Sequence, residues 1–120
     1  MAECDKGYLC EVCGEAVEDM AESALYLQFI VGWIDPETLH TRRECHLRCQ
    51  PTLSQFINDP LFQDIQVTGE FSRQELDPAF VKERSDLLTR GYQRLVEVAR
   101  KRRGMTVTDY PLPEAIARWQ

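Results

Sequence analysis

The sequence predicts a small α+β domain, mostly helical, and three observations carry that expectation. A long amphipathic run extends from Asp77 to Gly104, short apolar segments between residues 23 and 57 open on Ser or Pro, and Cys10-Glu-Val-Cys13-Gly14 reads as a tight hairpin turn. The 120 residues are 43% hydrophobic and 28% charged. Such a composition suits a folded globular chain rather than a disordered one. A chain of this length can bury roughly two-thirds of its unfolded surface around one core.

The elements follow in order. Across residues 7–17, Gly14 directly follows the second Cys and supplies the positive φ of a hairpin turn, which aims backbone N–H groups at sulfur. Ser23 is placed as the N-cap of a short buried helix over residues 24–33, with Leu25, Phe29 and Trp33 at four-residue steps and Tyr26 and Ile30 beside them. The alternation Leu25, Leu27, Phe29, Val31 fits a strand nearly as well, so that alternative stays open. Tyr26, Phe29 and Trp33 read as core. Asp35-Pro36 opens one turn ending near His40, and Pro51 starts a short helix to Ile57 that Asn58-Asp59-Pro60 stops. Ile65-Gln-Val67 is a possible short strand and Thr68-Gly-Glu70 a turn.

Asp77-Pro78 is a cap followed by a first-turn proline, and Phe80, Leu87, Leu88, Leu95, Val98 and Ala99 lie on one helical stripe. Lys82, Glu83, Asp86, Arg90, Arg94 and Glu97 form the opposite face, and Gly91 marks a close helix contact or a kink. A tail with Pro111 and Pro113 leads to a last turn at Glu114–Trp119. The organisation expected is a ligand-bearing region at 1–60, an irregular connector at 61–76, the long helix at 77–104 and a tail at 105–120, all in one compact domain.

The net charge of −6 is uneven: residues 1–60 hold 4 Lys/Arg against 11 Asp/Glu, and residues 61–120 hold 10 against 9. The acidic front half repels phosphate backbones. Nucleic-acid binding would therefore need Arg42, Arg43 and Arg48 gathered together, or the cluster Arg100-Lys-Arg-Arg103, which also serves the negative end of a helix dipole. The longest apolar stretch, Phe29–Ile34, is far short of the roughly 20 residues of a membrane span. Five cysteines without an export signal point to a reducing compartment, the cytoplasm.

The chemistry lies in two pairs of residues: Cys10 and Cys13, then His46 and Cys49 after a gap of 32 residues. A three-residue step lets two side chains on one turn reach the same ion, and two such pairs complete the tetrahedron that Zn²⁺ prefers. A filled shell leaves no position for water or substrate, so the expected metal is structural and the protein is not expected to be an enzyme. Cys45 is the rival to His46, since adjacent residues diverge and only one of them can ligate. Iron held by Cys10, Cys13, Cys45 and Cys49 is the alternative metal. A redox-active Cys-x-x-Cys and disulfides are weaker readings, and Cys4 and His40 stand outside the ligand set. Cys49 lies at the mouth of the Pro51 helix, where partial positive charge favours a thiolate.

The Cys-x-x-Cys-Gly knuckle together with His-x-x-Cys resembles the treble-clef class of zinc fingers over roughly residues 8–57. That resemblance implies a zinc-knuckle hairpin giving Cys10 and Cys13, with His46 and Cys49 at the start of a later helix. The expected function is a zinc-stabilised protein-interaction or regulatory module with a protein partner. A nucleic-acid-binding regulator and a thiol redox sensor that ejects its ion on oxidation of Cys10 and Cys13 are the alternatives.

Overall fold

The computed structural model describes residues 9–63, 65–101 and 103–119, and of Trp119 only the backbone. Cys4, the beginning of the hairpin segment and Arg102 of the basic cluster lie outside the described residues. About half of the chain is in helices and 3₁₀ turns, with α1 at Ala24–Ile30, α2 at Pro51–Ser54, α3 at Pro78–Lys101 and α4 at Pro113–Trp119. The β component is slighter than expected. Among the described residues it consists of two isolated antiparallel bridges, Leu9 with Ala16 and Ser23 with His46. Residues 65–67 form no strand.

The segment after Ser23 is a helix and not a strand. The Ser23 hydroxyl accepts the Tyr26 N–H at 3.0 Å and so caps α1. The helix stops at Ile30, three residues earlier than expected, because Gly32 takes φ +93° just beyond it. Trp33 thereby leaves the helical stripe. It is 37% exposed, while Phe29 and Tyr26 are buried as expected. The Arg84 guanidinium lies 4.5 Å from the Trp33 ring centroid and 4.7 Å from that of Phe80, stacked between the two. Asp35 Oδ1 accepts the N–H groups of Glu37 and Thr38, making the anticipated turn, and a 3₁₀ turn at Leu39–Thr41 follows. The Pro51 helix is likewise shorter than predicted, one turn ending at Ser54.

The long helix α3 is capped by Asp77, whose Oδ2 accepts the Phe80 N–H. It packs across α1 and the Met20–Glu22 turn, burying Leu88, Tyr92, Leu95 and Val98 against Leu27, Phe29, Ile30 and Val31. Phe80 departs from the expected stripe at 41% exposure, with one edge on Phe56. Length explains this: α3 spans about 36 Å and α1 only about 10 Å, so α1 cannot cover the first turns of α3. The supposed solvent face is also partly used. Arg94 donates to the carbonyls of Asp109 and Tyr110, and Arg90 reaches Glu114 at 2.6 Å, so both arginines hold the tail and α4 in place.

Gly91 sits where α1 and α3 touch. A Cβ there would run into Val31 Cγ1 and lie 3.1 Å from Leu27 Cδ1, so this glycine makes a close contact rather than a kink. We predict that Gly91→Ala destabilises the fold. Overpacking of roughly 1–3 kcal/mol outweighs the roughly 1 kcal/mol gained in helix propensity. Adding Val31→Ala should make the alanine at 91 less costly, as a double-mutant cycle by thermal or urea unfolding would show.

Candidate metal centre

The knuckle is built by backbone bonds around its glycine. Gly14 N–H donates to the Cys10 carbonyl at 2.9 Å and Cys10 N–H to the Glu15 carbonyl at 2.8 Å, with Gly14 at φ +79°. The second half of the centre reaches the first through residues 44–46. The Glu44 carbonyl accepts the Glu11 N–H at 3.0 Å, the Cys45 carbonyl accepts the Ala24 N–H at 2.8 Å, and the His46 N–H donates to Cys10 Sγ at 3.4 Å. Cys49 follows in the 3₁₀ turn Leu47–Cys49, just before the Gln50 cap of α2.

This backbone brings Cys10, Cys13, His46 and Cys49 together with all four ligand atoms within 4.8 Å of one another. His46 is buried, and its Nε2 lies 3.0 Å from the Ala16 carbonyl, which can only accept. The proton therefore belongs on Nε2, and the lone pair of Nδ1 faces Cys13 Sγ at 3.4 Å and Cys49 Sγ at 4.0 Å. A carbonyl behind a histidine is the usual means of presenting a neutral ring nitrogen to a metal. Three sulfurs and one imidazole nitrogen converging in this way fit a metal ion.

The thiols differ in their surroundings. Burial alone would raise the Cys10 thiol, but N–H groups of Cys13, His46 and Val12 converge on its sulfur and bring it down to about 5. The thiolate expected for Cys49 at the mouth of the Pro51 helix is not favoured: burial pushes its thiol up to about 11, assisted by hydrogen bonding to Cys10 and Cys13 and by their charge. Burial likewise pushes Cys45 up to about 12, with a hydrogen bond to Cys10 adding to the effect. Cys45 stands apart from the quartet. Its Sγ lies 3.9 Å from Cys10 Sγ and donates to the His46 carbonyl at 3.4 Å.

Other residues singled out in the sequence are not drawn in. His40 is exposed on the Leu39–Thr41 turn and lies outside the cluster. Arg48 pairs with Glu22 at 3.7 Å and Lys101 with Glu97 at 3.6 Å. Arg42 and Arg43 line a depression of about 380 Å³ shared with Glu11, Gln28 and Gln50. No described helix is long and apolar enough to cross a membrane. No protein-family model, curated protein or solved structure matches the chain.

Two residues that sequence reasoning passed over support the centre. The Ala16 carbonyl orients His46, and a backbone oxygen leaves no mark in a side-chain pattern. Glu44 is 4% exposed; Ser23 donates to its Oε1 at 2.7 Å, while its Oε2 has no hydrogen-bond partner among the described residues. Burial raises its carboxyl above the usual 4.5, with the Ser23 hydrogen bond opposing. Its place beside Cys45 and His46 was the available signal.

Two predictions follow from these shifts. A carboxyl raised by folding costs stability once ionised, so stability is lost as pH rises from about 4.5 through the folded value. Glu44→Gln should abolish that loss, read as urea midpoints of parent and variant measured from pH 4 to 8. Metal uptake near neutral pH must displace the Cys49 proton, and below about 5 protons also compete for Cys10. Metal affinity, followed with Zn²⁺ as the probe by competition with a chromophoric chelator, should therefore fall as pH is lowered from 8 to 5.

Proposed function

We propose that this chain is a non-enzymatic zinc-binding protein in which Cys10, Cys13, His46 and Cys49 hold one structural Zn²⁺ in a treble-clef-like centre. The observation carrying this reading is the convergence of the four ligand atoms within 4.8 Å, with His46 oriented from behind by Ala16. Three thiolates and an imidazole suit zinc, and four protein ligands leave no open position for a substrate. The iron alternative needs Cys45, which lies outside the converging quartet. The treble-clef reading draws support from the Gly14 knuckle and from the second ligand pair at a helical turn, although that turn is 3₁₀ and the helix after it is a single turn.

The ion would brace the knuckle against residues 44–49. The braced knuckle carries Leu9 and Val12 exposed, beside exposed Glu11 and Glu15. An apolar tip with acidic flanks suits a protein contact and repels a phosphate backbone. Protein interaction or regulation in the cytoplasm is thus the role proposed for the chain.

Metal analysis of purified protein tests the reading. One zinc per chain is expected, with loss in Cys13→Ser and retention in Cys45→Ser. A parent that is fully folded yet metal-free would sink the proposal, and a parent that carries iron and loses it in Cys45→Ser would establish the alternative.

A further inference from the structure

The quartet leaves one nearby thiol unused. Cys45 is buried, its Sγ lies 3.9 Å from Cys10 Sγ, and the backbones beside the two cysteines are already paired through Glu11 N–H and the Glu44 carbonyl at 3.0 Å. Paired backbones hold the two residues close enough for a side-chain rotation to bring the sulfurs to bonding distance. Cys10 and Cys45 also belong to the two segments that the metal would join, the knuckle and residues 44–49.

The four ligand positions are unequally shielded. Cys10 and His46 are buried, Cys49 is half-buried and Cys13 is exposed. Cys10 Sγ receives the N–H groups of Val12 and His46 at 3.4 Å each, and such bonds withdraw charge from sulfur. Cys13 Sγ has His46 Nδ1 as its near neighbour and no backbone N–H donor among the described residues. An oxidant arriving from solvent thus meets Cys13 first, and meets it without the N–H donors that quench Cys10.

We infer that hydrogen peroxide converts this centre to a Cys10–Cys45 disulfide, a covalent tie between the knuckle and residues 44–46 that takes over from the metal. The zinc reading supplies the ion that is released, whereas the sulfur pair stands on its own geometry. Cys13 thiolate attacks the O–O bond, becoming a sulfenic acid and expelling hydroxide. Cys10 thiolate then attacks the Cys13 sulfur, displacing a second hydroxide and forming a Cys10–Cys13 disulfide. Cys45 gives its proton to one hydroxide, and its thiolate attacks the Cys10 sulfur, expelling Cys13 thiolate. Cys10 and Cys45 are oxidised by two electrons, and the peroxide leaves as one water and one hydroxide. With Cys10 withdrawn, Cys13, His46 and Cys49 would be left to hold the ion, and three donors would hold it less tightly than four.

The test starts from full-length protein with its zinc content measured. Peroxide is added with a chromophoric zinc indicator, free thiols are alkylated, and the digest is mapped by mass spectrometry. Expected are zinc release, a Cys10–Cys45 linked peptide as the main crosslink, an alkylated Cys13, and reversal of the crosslink by dithiothreitol. Cys45→Ser should still release zinc, but should end in a Cys13-containing disulfide. Zinc-loaded parent in which Cys45 remains fully alkylatable after oxidation overturns the inference, whichever other disulfide forms. Protein free of metal before peroxide overturns the zinc reading instead, and the same map, run on that protein, still decides the disulfide.

Discussion

The fold turns on the three-residue seam at Glu44, Cys45 and His46. A short extended segment has a limited number of backbone groups, and here most of them are committed. One carbonyl takes the knuckle through Glu11, the next takes the start of α1 through Ala24, and the His46 N–H reaches the Cys10 sulfur. Two parts of the chain with little regular structure of their own are thereby set relative to each other. Ser23 ties the seam to α1 once more, since its hydroxyl caps the helix and also donates to Glu44. Among the described residues, the place of a sheet is taken by a seam whose hydrogen bonds are divided between two neighbours and a sulfur.

The seam also explains why the converging ligands are so different in character. Cys10 and His46 are buried because the knuckle and the seam press them together, whereas Cys13 lies on the outer turn of the knuckle. Electrostatics follows position. A buried sulfur facing several N–H donors becomes the anion of the group, and its neighbours Cys45 and Cys49 then hold their protons more tightly. Burial raises both of those thiols first, and the charge at Cys10 adds to the effect.

Much of this centre was legible in the sequence because ligation constrains spacing. The two three-residue steps and Gly14 name the residues that converge, and Ser23 and Asp77 mark helix starts through their side chains. What could not be read depends on partners rather than on periodicity. Leu25, Leu27, Phe29 and Val31 satisfy both helix and strand patterns, and only the capping hydroxyl and the packing of α3 decide between them. Trp33 and Phe80 lie on apolar stripes by spacing, yet one follows the glycine that ends α1 and the other lies beyond the reach of α1. Arg90 and Arg94 read as solvent-facing because nothing in their own helix reveals that the tail folds back on them. The supporting roles of Ala16 and Glu44 come from a carbonyl and from burial, neither of which a residue pattern encodes.

The close approach at Gly91 has a consequence for synthesis. The apolar surface of α1 that receives it, around Leu27 and Val31, leaves the ribosome long before α3 and α4 are made. The backbone groups that build the seam and the knuckle lie between Cys10 and His46, whereas that face of α1 must wait for its cover. During synthesis the ligand-bearing end is thus out before the cover for this greasy flank, and the bare flank is where a chaperone would bind.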